Sequence, residues 1–261
     1  MSLLDVFARA HAKKRPAFIP YVMAGDPDLD TTHGILAALA RAGADAIELG
    51  VPYGDPLADG PTVAAAGQRA LANGVALPDV FALVERAKAS GVPPIVLFTY
   101  FNPVYQYGID HFTEDAAAVG VAAAIVPDVT FEESAELCES FASRGMEMPL
   151  LIAPSTPRER ASRIADRSTG FIYVVSRMGV TGAGAAPDTA SLRAQLQMLR
   201  SITQKPLAAG FGVSRREHVQ AIAPYADGII VGSALIDAYS GASGDAAAAK
   251  VEAFAKNLFP L

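Results

Sequence analysis

The chain has 261 residues, 51% of them hydrophobic, and a net charge of −6 at pH 7; that acidic balance argues against a general nucleic-acid surface, which needs a basic face. Its single cysteine, Cys138, excludes an internal disulfide framework and points to a reducing, cytoplasmic setting. No apolar run approaches the ~18 residues that a membrane-spanning helix requires.

The chain opens with MSLLDVFARAHAKKRP, in which Leu3, Leu4, Phe7 and Ala10 lie near helical spacing. Its apolar run is broken at Asp5 and its positive charges follow that run, so a short amphipathic helix is expected and not a secretory leader. Eight short apolar runs come next, at 18–23, 46–50, 94–98, 122–126, 149–152, 171–175, 206–208 and 228–231. Helix-like segments at 31–42, 62–71, 79–89, 109–119, 132–144, 158–166, 189–202 and 215–223 are interspersed with them, and an Ala-rich helix at 244–258 closes the series. Strands alternating with helices predict parallel strands joined by crossover helices. Pro20 makes the first strand the weakest, because proline lacks the donor of a central strand. No linker or composition shift divides the chain, so residues 1–261 are expected to form one α/β domain, a (βα)8 barrel with an extra N-terminal helix. An open doubly wound sheet is disfavoured, because AGDPD after the first strand is not the glycine fingerprint of that fold.

In a closed α/β barrel the active site lies at the carboxyl ends of the strands. The unusual residues fall there. Asp26 and Pro27 follow strand one; Glu48 ends strand two, with Asp55 and Asp59 in the loop beyond it. Tyr100, Asn102 and Pro103 follow strand three, Pro127 and Asp128 strand four, and Ser176 and Arg177 strand six. The connectors at the other end, such as RAGAD and ASGVP, are plain.

Alternation within AIELG places Ala46, Glu48 and Gly50 on one side of the strand and Ile47 and Leu49 on the other. With the bulky pair toward the helices, Glu48 points into the barrel. It is then either paired with a cation such as Arg177 or poised for proton transfer, with a pKa raised by burial. Asp59, in a more hydrated loop, would remain an anion, so that two carboxyls divide the acid–base roles.

Glycine-rich turns suggest a phosphate ligand. TGAG at 181–184, GFG at 210–212 and GSA at 232–234 come from the last three loops, where backbone N–H groups suit a phosphate without lysine. None of the six lysines ends a strand, which leaves no obvious Schiff-base residue, and the four histidines fall in or beside helices, which leaves no obvious metal site.

The segments FIPYVMAGDPD, GADAIELGVPYGDPLADGPT, TYFNPVYQYGID, IVPDVTFEES, YVVSRMGVTGA, GFGVS and GIIVGSAL occur in this order over residues 18–235. Together they resemble the tryptophan synthase alpha subunit family. The resemblance implies a (βα)8 barrel that cleaves indole-3-glycerol phosphate to indole and glyceraldehyde 3-phosphate. It implies Glu48 as the acid–base residue and Asp59 as the acceptor of the indole N–H. It also implies Thr181, Gly182, Gly212, Gly232 and Ser233 around the phosphate, and Tyr21, Tyr100, Tyr173 and Phe211 around the indole. No cofactor is implied on this chain; pyridoxal phosphate would sit on a beta subunit in an alpha2beta2 heterotetramer. That partner would contact the loops near residues 54–56 and near Asn102 and Pro103, and a loop around 177–186 would close over the substrate. The chain departs from the usual family pattern at Gly54, at Val63 and Ala64, and at 129–131.

Two rival readings share some of these features. Another phosphosugar barrel enzyme would keep the phosphate turns but leave the paired carboxyls unexplained. A non-catalytic barrel that activates a partner would have no need of Glu48 and Asp59.

Overall fold

The computed structural model describes residues 2–175, 189–210 and 212–259. Among them, eight strands alternate with twelve helices. The first half runs α1 (Leu3–Ala12), β1 (Ala17–Met23), α2 (Leu29–Arg41), β2 (Ile47–Gly50), α3 (Pro61–Ala72), α4 (Leu77–Ala89), β3 (Ile95–Phe98), α5 (Phe101–Tyr107), α6 (Ile109–Val119) and β4 (Ala123–Ile125). The second runs α7 (Ala135–Ser143), β5 (Leu150–Ile152), α8 (Arg158–Arg167), β6 (Ile172–Val175), α9 (Thr189–Arg200), β7 (Leu207–Gly210), α10 (Arg216–Ile222), β8 (Gly228–Val231), α11 (Ser233–Tyr239) and α12 (Gly244–Leu258).

Neighbouring strands are all parallel, in the order β4-β3-β2-β1-β8-β7-β6-β5. The ring closes just before β5. Glu147 donates its N–H to the Ala122 carbonyl and accepts the Ala124 N–H, each at 3.0 Å. Pro20 is accommodated because β1 changes partner there: residues 17–20 are in register with β8, and 21–23 with β2. The missing donor therefore falls at the handover between two ladders.

The strands alternate faces although their sequences, Glu48 apart, are apolar almost throughout. Outward residues such as Phe18, Ile47, Leu49, Leu97, Val174 and Ile229 join the core shared with the helices. Inward residues such as Ala17, Ile19, Ala46, Val96, Ile125, Ala208 and Ile230 form a second core inside the barrel. Helix α1 plugs that inner core from the amino-terminal end. A reciprocal cap between Ser2 and Asp5 starts it, and its Leu3, Val6, Phe7 and Ala10 are buried among the inward residues. Burial of the three larger side chains stabilises the plug by roughly 1.5–3 kcal/mol each before ordering costs. Phe7 needs Gly228, since a methyl group there would lie 2.8 Å from its ring.

Two elements differ from the sequence expectation. Residues 101–107, read as loop, form α5; Pro103 falls in its first turn, where its missing N–H has no helical partner to lose. Strand β7 runs on to Gly210, so only Gly212 of GFG lies in the described turn.

Candidate active site

Register sets Glu48 at the mouth. It lies opposite Tyr21 on β1 and Val96 on β3, with Ile47 and Leu49 turned to the helices. Glu48 is 1% exposed, and neither carboxyl oxygen has a hydrogen-bond partner among the described residues. Taking an unpaired carboxylate out of water favours the neutral acid. Burial therefore pushes the Glu48 pKa up to about 8, and the nearby Asp59 charge adds to the shift.

Asp59 sits in the loop between β2 and α3 and is half-buried. Burial raises its pKa as well, and the neighbouring Tyr100 hydroxyl opposes the rise. Tyr100 anchors this loop to the end of β3. Its phenol oxygen accepts the Ala58 N–H at 3.1 Å, and its ring meets Tyr53 at 5.3 Å between centroids. Behind it, the Asp128 carboxylate accepts the Phe101 N–H at 2.9 and 3.1 Å, holding the first turn of α5. The two carboxyls thus occupy unlike environments at one rim, one sealed and one partly open.

Aromatic side chains line the same mouth. Tyr21 and Phe98 meet edge to face at 5.9 Å, Phe98 and Tyr100 at 6.2 Å, and Tyr173 faces Glu48 and Asp59 from β6. Sequence reading missed Phe98. Strand parity could have found it, since Phe98 lies two residues after the inward Val96. Glycines give the phenols room: a methyl group at Gly50 would lie 2.1 Å from Tyr21 Oη, and one at Gly210 would lie 2.9 Å from Tyr173 Oη.

On the other side of the mouth, Gly212 takes a φ of +71° in the turn after β7. Gly232 leads directly into α11, whose first residue is Ser233; the first N–H groups of a helix have no carbonyl within it. Thr181, Gly182 and Phe211 lie outside the described residues, as do Arg177 and the segment expected to close over the site. A buried carboxylate braces the two sides. Asp26, at the end of β1, accepts two hydrogen bonds from Arg69 of α3 at 2.7 and 2.9 Å and one from Tyr239 of α11 at 3.0 Å. It therefore fixes the helix that follows Asp59 against the helix that starts at Ser233. Lys205 is held at the opposite end, donating to the carbonyls of Ala165, Asp166 and Ser168 at 2.7–2.8 Å.

A family model described as "Tryptophan synthase alpha chain" matches residues 7–259. The chain belongs to the tryptophan synthase alpha chain family. The tryptophan synthase alpha chain of Gloeobacter violaceus is 44% identical over 254 residues, covering 97% of this chain and 92% of the relative. That of a Picosynechococcus species is 48% identical over 221 residues, covering 84% and 83%. Among solved structures, tryptophan synthase from Mycobacterium tuberculosis superposes with a TM-score of 0.91 at 36% identity, covering 98% of this chain and 96% of that one. The tryptophan synthase a2b2 complex from Pyrococcus furiosus gives 0.87 at 38%, covering 94% and 98%. Tryptophan synthase alpha chains cleave indole-3-glycerol phosphate to indole and glyceraldehyde 3-phosphate in tryptophan biosynthesis, which makes this chain a carbon–carbon lyase. The alpha chain carries no cofactor; pyridoxal phosphate belongs to the beta subunit. Among the described residues, no helix is long and apolar enough to cross a membrane.

Proposed function

We propose that Glu48 is the acid–base residue and Asp59 the fixed anion of this cleavage. One observation carries the reading: two carboxyls face one barrel mouth, and one of them, Glu48, is sealed from water with no hydrogen-bond partner among the described residues, which favours its neutral, proton-carrying form. Neutral Glu48 gives its proton to the indole ring carbon at the bond to be broken. The ring then carries positive charge, which Asp59 stabilises through the indole N–H. The resulting Glu48 carboxylate takes the proton of the adjacent chain hydroxyl. As the carbon–carbon bond breaks, its electron pair returns to the ring, which leaves as indole, and the hydroxyl carbon becomes the aldehyde of glyceraldehyde 3-phosphate. Glu48 ends protonated, as it began. No imine is needed, because ring protonation makes indole a competent leaving group.

In this reading Tyr21, Tyr100, Tyr173 and Phe211 line the indole, and Thr181, Gly182, Gly212, Gly232 and Ser233 hold the phosphate through backbone amides and hydroxyls. The partner is a tryptophan synthase beta subunit in an alpha2beta2 assembly, and the setting is cytoplasmic. Two exposed apolar side chains support the docking face: Leu57 on the Asp59 loop, 72% exposed, and Tyr105 on α5, 62% exposed. Release of indole from indole-3-glycerol phosphate tests the assignment, measured with and without a beta subunit. Glu48→Gln should abolish release while substrate binding persists; near-normal turnover would remove Glu48 from the chemistry.

A further inference from the structure

Tyr21 carries a hydroxyl that a simple wall of an indole pocket would not need. Its Oη is buried and has no hydrogen-bond partner among the described residues, the same condition as both oxygens of Glu48. The two residues lie opposite each other in the β1–β2 register. The charged groups that act on the phenol are Asp59 and Glu48. Gly50 makes room for the hydroxyl in particular, since a methyl group there would lie 2.1 Å from Oη and 2.7 Å from Cζ. Phenylalanine would supply the same edge contact to Phe98 without an unpaired polar atom. Leaving such an atom buried costs about 1–3 kcal/mol, so its retention calls for an explanation.

The substrate's chemistry limits what the phenol meets. The indole N–H is a donor and is assigned to Asp59, and the phosphate lies toward the glycine turns. The remaining acceptors are the two hydroxyl oxygens of the chain, and the one beside Glu48 is the one at the breaking bond. We propose that the Tyr21 hydroxyl donates a hydrogen bond to the chain hydroxyl oxygen whose proton passes to Glu48, which makes Tyr21 a catalytic residue as well as a pocket wall. The oxygen accepts from Tyr21 through a lone pair while giving its own proton to Glu48, so no proton leaves Tyr21. The bond persists as that oxygen becomes the aldehyde oxygen. This proposal rests on the assignment of Glu48 above.

The test separates the two claims. Binding is measured by calorimetry in the Glu48→Gln background, where substrate survives. The ligands are indole-3-glycerol phosphate and its analogue with both chain hydroxyls replaced by hydrogen. Adding Tyr21→Phe should weaken the substrate about 3- to 10-fold, the value of one neutral hydrogen bond, and leave the analogue within about 2-fold. In the otherwise native chain, Tyr21→Phe should raise KM by a similar 3- to 10-fold and also lower kcat about 10-fold, as expected when a contact already made to the bound substrate strengthens in the transition state. Equal losses for both ligands, no loss for either, or an effect confined to KM would overturn the role of Tyr21 while leaving Glu48 in place. A Glu48→Gln chain that bound neither ligand would overturn both assignments.

Discussion

Glu48→Gln should stabilise the fold while it abolishes turnover, and the gain should grow with pH. The folded chain holds the Glu48 proton up to a pKa of about 8, against 4.5 for a free side chain. Between those values the folded state binds more protons than the unfolded state, so rising pH costs stability. The contribution is fully present below the unfolded pKa and is lost as pH rises through the folded one. At about 1.4 kcal/mol per pKa unit, the penalty is about 1–2 kcal/mol at about pH 5.5 and about 4–5 kcal/mol at about pH 8.5, a difference of about 3 kcal/mol. Glutamine has nearly the same shape and does not titrate. Urea unfolding of both chains at the two pH values, extrapolated to water, should therefore show the variant's advantage increasing by about 3 kcal/mol toward the alkaline side. The comparison between pH values removes the constant cost of a buried amide. A stability difference independent of pH would mean that Glu48 is ionised in the folded chain, and the desolvation argument would fail.

Turnover should fall as pH rises through about 8, because the proton that Glu48 delivers to the ring is then lost; a rate still rising well above that pH would refute neutral Glu48 as the donor. Asp59→Asn should cost about 100-fold or more in kcat, since removing one preorganised electrostatic group commonly does so; steady-state rates near those of the native chain would refute its role as the stabilising anion. Gly50→Ala should destabilise the chain by about 1–3 kcal/mol and depress kcat, because a methyl group 2.1 Å from Tyr21 Oη must displace the ring; thermal melts and indole release check both effects. Leu57→Asp combined with Tyr105→Asp should weaken assembly with a beta subunit while leaving the isolated chain folded, as sedimentation and circular dichroism would show.

Sequence alone determined the alternation of strands and helices, the rim at which Glu48, Asp59, Gly212 and Gly232 gather, and the inward face of Glu48. These follow from local rules: apolar runs of strand length, a side-chain period of two, and the convention that active sites lie at the carboxyl ends of barrel strands. The family likeness supplied the chemistry, because its segments are long and ordered. Helix α5 was less legible, since its first turn depends on Asp128, 27 residues away along the chain.

Only the tertiary structure decided who stands beside whom. Closure through Glu147, the Asp26 brace between α3 and α11, and the placing of Phe98 in the wall all depend on register and on elements distant in the chain. The same holds for the Glu48 pKa. Parity points the carboxyl inward, but the size of the shift depends on how completely other strands exclude water and on whether any of them offers a donor. Tyr21 shows the difference most plainly: in sequence it is one more aromatic residue near a strand end, and in the barrel it is a hydroxyl opposite an acid, neither with a hydrogen-bond partner among the described residues.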